Sequence, residues 1–122
     1  MTTTTVVTTD AFAEWYRGLP AEQAEAVDFK VDLLRAQGVL LGYPHSSGFP
    51  GSRHGMRELR IESRRFPIRV FYGFNPVRQA VLVIGGNKKG QHAEGKWTAK
   101  MLKQAERLFD EYLAARPWEG KR

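Results

Sequence analysis

At 122 residues and 13.9 kDa the chain fits one domain with a single core and is too short for two. It has no cysteine, which excludes disulfide scaffolds, thiol nucleophiles and cysteine-held zinc and suits a reducing cytoplasm. With 19 Lys and Arg against 13 Asp and Glu, the net charge is +6 and the pI about 9.9, a balance that favours a polyanionic partner over an acidic substrate pocket.

The whole chain, 1–122, reads as one domain, with 1–5 and 117–122 expected as flexible tails. MTTTTVVTTD lacks a basic, then apolar, leader pattern, and no apolar run reaches the length of about 18 residues that a membrane span needs. Val6–Thr8 fits a short strand as well as it fits the end of a frayed threonine tail. Thr9 or Asp10 can cap a helix running through Gly18, with Phe12, Trp15 and Tyr16 inward. Pro20 and Glu22 suit the first turn of a second helix. Its apolar positions are Ala24, Val27, Val31 and Leu34, and Gly38 closes it. From Val39 to Gly55 glycines and prolines predict a long loop. Three strands are expected at Met56–Ser63, Phe66–Phe74 and Gln79–Gly85, with a turn at Asn75–Arg78 and a polar loop over Gly86–Gly95. Trp97, Met101, Ala105, Leu108, Phe109, Tyr112 and Leu113 mark one face of a last helix that ends before Pro117. Helices, then a meander, then a helix make an α+β domain.

Acidic residues outnumber basic ones up to Asp32, and the reverse holds from Arg53 to Lys103. Strand alternation sorts this basic half. Leu59 and Ile61 share one face and Ile68, Val70 and Tyr72 another, so Arg60 and Arg69 point away from both sets. If the hairpin buries its apolar faces together, Leu59 pairs with Val70, Ile61 with Ile68, and Arg60 with Arg69. Like charges across a hairpin are mildly destabilising unless an anion lies between them. Two guanidinium forks aimed at one spot suit a phosphate. The plainer alternative is a solvated face on which Glu58 and Glu62 neutralise both arginines. Pro67 is a further constraint, since proline belongs at edges or bulges and can shift the register.

Cleaving RNA requires a base for the 2′-hydroxyl, cations for the pentacovalent phosphate and an acid for the leaving oxygen. Candidates near the arginines are His54 for proton transfer and Lys88 for charge, with His45 and His92 ranked below His54. Arg53, Arg64, Arg65 and Lys89 suit phosphate contacts, and Phe71 and Trp97 could stack on a base. No P-loop, GxGxxG or HExxH pattern is present, so neither a metal nor an organic cofactor is expected.

The segments TDAFAEWYRGLP, GSRHGMRELRI, FPIRVFYGFNPVRQAVLVIGGNKKG and AERLFDEYL, in that order, resemble the HigB-like branch of the RelE/ParE toxin superfamily over residues 6–114. The resemblance implies a small antiparallel or mixed sheet with two N-terminal helices on one face and a C-terminal helix. It implies a ribosome-dependent mRNA endoribonuclease whose free face meets mRNA in the A site. It also implies an antitoxin partner, expected to be of the helix-turn-helix type. On this likeness Arg69 in IRVFY is the phosphate-binding arginine, Arg60 lies in the ELR strand, and Lys88 is the basic residue after the last central strand. Arg53 and His54 form a pair recurrent in this branch. The stretch GQHAEGKW departs from the family pattern, and Trp97 stands where relatives carry a tyrosine that could move a proton. A ParE-like gyrase poison and a non-catalytic RNA-binding module are the alternatives.

Overall fold

The computed structural model describes residues 3–62, 65–91 and 95–120. Strand β1 (Val6–Thr8) leads into helix α1 (Asp10–Arg17). The cap is Thr9, whose hydroxyl oxygen accepts the Phe12 N–H at 3.1 Å and donates to the Val83 carbonyl at 2.6 Å. One side chain thus satisfies a free donor at the helix start and fixes the helix to the sheet. Helix α2 (Ala21–Gln37) buries Val27, Val31 and Leu34. Gly38 ends it at φ 55°, where a Cβ would stand 2.3 Å from the Thr4 hydroxyl. The Thr4 N–H donates to the Arg35 carbonyl at 2.8 Å, and the Thr5 carbonyl accepts the Ala80 N–H at 2.9 Å.

The segment expected as loop contains a strand, β2 (Ser46–Gly48). Its residues have no apolar alternation, and it is held by hydroxyl chemistry instead. Ser46 is buried, its oxygen 2.6 Å from the Tyr72 hydroxyl and accepting from Arg57 Nε at 3.0 Å. The central strands are β3 (Arg57–Ile61), β4 (Ile68–Phe74) and β5 (Ala80–Asn87). The last runs two residues beyond its expected end, because Gly86 and Asn87 continue the ladder opposite Arg69 and Ile68. The sheet has the order β1-β5-β4-β3-β2, antiparallel throughout except for the parallel β1–β5 pair. This is an α+β architecture consistent with the RelE-like fold.

One face packs Leu59, Ile61, Ile68, Val70, Tyr72 and Leu82 against Phe12 of α1 and Val27, Val31 and Leu34 of α2. The other face is partly covered by α3 (Lys96–Ala115), whose Ala105 and Phe109 bury against Met56, Phe71, Val81 and Val83. A register shift between Phe71 and Tyr72 opposes Phe71 to Ile84 and Tyr72 to Leu82. The bulge puts both Val83 and Ile84 into this second cluster. Glycines let the helices approach: a Cβ on Gly85 would lie 2.3 Å from the Trp15 ring, and one on Gly86 2.9 Å from Trp97. The Gly-Gly pair therefore serves packing.

Candidate nucleic-acid interface

The hairpin register sets Leu59 opposite Val70, Arg60 opposite Arg69 and Ile61 opposite Ile68. Pro67 does not shift it. Pro67 lies just before β4, and its carbonyl accepts the Lys88 N–H at 2.7 Å. Burial of the apolar face against α2 drives the pairing, and the two arginines are carried to the opposite face as its consequence.

Two carboxylates, Glu58 of β3 and Glu62 just past its end, lie between and beside the guanidinium groups. Arg60 Nη1 donates to Glu58 Oε2 at 3.1 Å and Arg60 Nη2 to Glu62 Oε1 at 3.2 Å. Arg69 Nη2 donates to the same Glu62 oxygen at 2.6 Å, and Arg69 Nε lies 3.6 Å from Glu58 Oε1. The two carboxylates have different roles. Glu58 is buried and held further by the Ser47 hydroxyl at 3.0 Å. The Glu62 side chain is 55% exposed, while that of Arg69 is 4% exposed. Glu62 thus caps a buried guanidinium with a carboxylate that solvent already reaches. The two guanidinium groups converge on that one carboxylate oxygen, a donor arrangement whose geometry suits an oxyanion. Glu58 Oε1 and Arg60 Nε have no hydrogen-bond partner among the described residues, which marks this as the point where the polar network of the face is incomplete.

The other sequence candidates distribute unevenly. Lys88 and Lys89 follow directly on the end of β5, whose Gly86 pairs with Arg69, so they lie at the arginine end of the sheet. Lys89 is exposed, with its N–H bonded to Asn87 Oδ1 at 2.8 Å. Trp97 is half-buried above Gly86, its ring centroid 6.5 Å from that of Phe71. Phe71 itself is fully buried and stacked on Phe49 at 5.6 Å, which leaves no ring face for a base to stack on. Phe49, from the loop after β2, together with Trp97 and the rest of α3 closes this part of the face. Arg65 is exposed, 3.7 Å from Glu22. Arg64 and His92 lie outside the described residues.

Arg53 and His54 are not brought to the arginine pair. They form a short 3-10 turn (Arg53–Gly55) and reach α3 instead. Arg53 Nη2 donates to Asp110 Oδ2 at 2.7 Å, and His54 Nε2 lies 2.6 Å from Asp110 Oδ1. The Arg53 N–H donates to Glu106 at 2.9 Å, and the His54 ring meets Phe109 edge-on at 5.2 Å. The hydrogen bond from His54, helped by the Arg53 charge, holds the Asp110 carboxyl below its usual range. That carboxylate accepts, so His54 Nε2 carries a proton. Trp97 and Asp110 are 13 positions apart on one helix, about 20 Å along its axis. His54 accordingly sits at the far end of the covered face from Arg69.

Two groups beside the arginines escaped the sequence reading. Lys30 of α2 places Nζ 2.8 Å from His45 Nδ1, and the Tyr43 ring lies 5.5 Å from the Arg60 guanidinium. Burial lowers the Lys30 pKa, against an opposing pull from Glu62. Lys30 adjoins Val31 at the border of the apolar stripe, and only the tertiary packing of α2 on β3 reveals its partner. Among the described residues no three His, Asp or Glu are grouped to hold a metal, and no helix is long and apolar enough to cross a membrane.

The fold and site are those of a basic domain of RelE-like architecture with paired arginines under an exposed carboxylate. The chain matches the family described as phage derived protein Gp49-like (DUF891) over residues 14–110, and it belongs to that family. It is 36% identical over 107 residues to "Putative toxin HigB2" of Mycobacterium tuberculosis, covering 86% of this chain and 52% of that protein. It is 31% identical over 102 residues to "Putative toxin HigB3" of the same organism, covering 83% of this chain and 86% of that protein. The chain thus spans about half the length of the first relative and most of the second.

Proposed function

We propose that this protein is the toxin of a type II toxin–antitoxin module, of the RelE/HigB type, and that it cleaves translated mRNA on the ribosome. The observation that carries this reading is the Arg60–Arg69 pair, two guanidinium groups converging on one exposed carboxylate. The net charge of +6 and the toxin names of two relatives support it.

In this reading the scissile phosphate displaces Glu62, and Arg60 and Arg69 stabilise charge that grows on the phosphorane oxygens. The Arg69 fork acts in a desolvated site, where such stabilisation is worth most. Lys88, with Lys89 and Arg65 beyond it, draws the flanking phosphates in, and Trp97 offers its half-buried ring edge to a base. The ribosome presents the strand, which supplies orientation. The mechanism uses no metal. The Arg53–His54–Asp110 cluster fixes the turn before β3 to α3. A helix-turn-helix antitoxin in the same cytoplasm keeps the toxin silent.

The test is brief expression in growing bacteria with mapping of new mRNA 5′ ends. Arg60→Ala and Arg69→Lys run in parallel, because lysine keeps Glu58 paired but lacks the planar fork. The expected result is new ends within translated regions, in phase with codons, reduced about 100-fold in both variants. Arrested growth with an unchanged transcriptome, or undiminished cleavage by a folded Arg69→Lys protein, would overturn the assignment.

A further inference from the structure

The nuclease reading leaves the departing oxygen without a proton donor, since His54 is engaged with Asp110 far from the arginines. A second lysine–histidine pair lies beside them. His45 directly precedes β2, and its carbonyl accepts the Arg60 N–H at 2.8 Å. This extends the β2–β3 ladder one step past the Ser46–Leu59 pair. Residues opposed on antiparallel strands keep their Cβ atoms about 4.5–5.5 Å apart, which makes His45 a cross-strand neighbour of Arg60. Lys30 approaches from α2 to 2.8 Å of His45 Nδ1. Glu62, whose carboxylate bridges both arginines, also acts electrostatically on Lys30. Lys30, His45 and the proposed phosphate position therefore share one edge of the sheet.

An ammonium has donors and no acceptor, so Lys30 donates to Nδ1 and the ring proton of a neutral His45 resides on Nε2. Partial burial on α2 makes the Lys30 ammonium a readier proton donor than an exposed lysine, with Glu62 opposing. Resting on the nuclease reading, we infer that Lys30 and His45 form a proton relay that protonates the 5′ oxygen leaving the scissile phosphate. As the 2′ oxygen bonds to phosphorus, the bond from phosphorus to the 5′ oxygen breaks. The His45 Nε2 proton passes to that oxygen, and the Lys30 proton passes to Nδ1. His45 ends neutral with its proton on Nδ1, Lys30 ends as an amine, and both recover by exchange with water. The 2′-hydroxyl proton goes to water. His45 is thus a catalytic residue, and Lys30, which acts through it, is a positioning residue that also supplies the proton.

The test uses ribosomes programmed with a defined mRNA carrying either the ordinary phosphate or a 5′-bridging sulfur at the mapped cleavage position. A thiolate leaves without protonation, so the sulfur substrate bypasses an acid and no other part of the site. His45→Ala, Lys30→Met and the double variant should each cleave the oxygen substrate about 100-fold more slowly, a typical loss for a general acid. Their losses should not add, as expected for residues acting as one unit. All three should regain most of the wild-type rate on the sulfur substrate. Circular dichroism confirms that each variant folds. Equal slowing on both substrates, additive losses, or an undiminished His45→Ala rate would overturn the relay, while cleavage still reduced about 100-fold in Arg69→Lys would leave the nuclease reading standing. A wild-type protein that cleaves neither substrate would remove both.

Discussion

Two charged clusters occupy opposite ends of the sheet face that α3 partly covers, and each gathers basic groups around carboxylates. Arg60 and Arg69 share Glu58 and Glu62 at one end. Arg53 and His54 share Asp110 at the other. They differ in solvation. Asp110 is 44% exposed, so water and salt screen its pairs. Arg69 and Glu58 are nearly sealed, so they meet each other and their neighbours Glu62 and Arg60 with little screening by water. Similar residue types thus give a surface tether in one case and a preorganised, desolvated donor pair in the other.

Removing buried charge should have the largest effect. Arg69→Ala removes one of the two guanidinium groups beside buried Glu58 and leaves Arg60, so its unfolding free energy should fall by about 3 kcal/mol, the low end for a broken buried pair, read from urea unfolding. A loss no larger than that of an exposed pair would mean that Arg60 alone or solvent compensates Glu58, and the contrast between the clusters would fail. Glu62→Gln should act on binding more than on folding. Freeing both guanidinium groups from their exposed carboxylate should tighten binding to single-stranded RNA and steepen its dependence on log salt by about 0.7. An unchanged salt slope would show that Glu62 does not compete with phosphate.

The smallest effect belongs to the exposed cluster, and pH resolves it. The folded-state pKa of Asp110 lies below its ordinary value. Its contribution is therefore present above the unfolded-state pKa and is lost as pH falls through the folded one. Asp110→Asn should lower the melting temperature slightly at neutral pH, with the two proteins converging in acid. A difference that grew toward low pH would contradict the His54 and Arg53 contacts.

The hairpin register was legible because Leu59, Ile61, Ile68 and Val70 leave one way to bury both strands, and Arg60 and Arg69 follow from it. The three central strands and the three helices also follow from periodicity and capping residues. Strand β2 was not legible, since Ser46 and Ser47 join the sheet through hydroxyl contacts that carry no hydrophobic signal. The depth of the site was hidden as well. Alternation shows that Phe71 and Arg69 share a face, but not that α3 descends onto Phe71 or that Arg69 is buried beside it. The separation of His54 from the arginines and the meeting of Lys30 with His45 are set by how α3 and α2 cross the sheet. These contacts link distant parts of the chain and leave no local pattern.

The parallel strand β1 has a consequence for how the molecule comes together. Val6 pairs with Ala80 and Thr8 with Leu82, so this edge closes across most of the chain, whereas the β3–β4 hairpin forms between near neighbours. Contacts between distant segments carry the larger chain-closure cost and form slowly. During synthesis the arginine hairpin can assemble while β5 still has an unpaired, apolar edge, the kind of edge that recruits other chains. Docking of β1 ends that exposure, and deleting the residues through Thr8 should yield a protein that aggregates before it loses its RNA-facing hairpin.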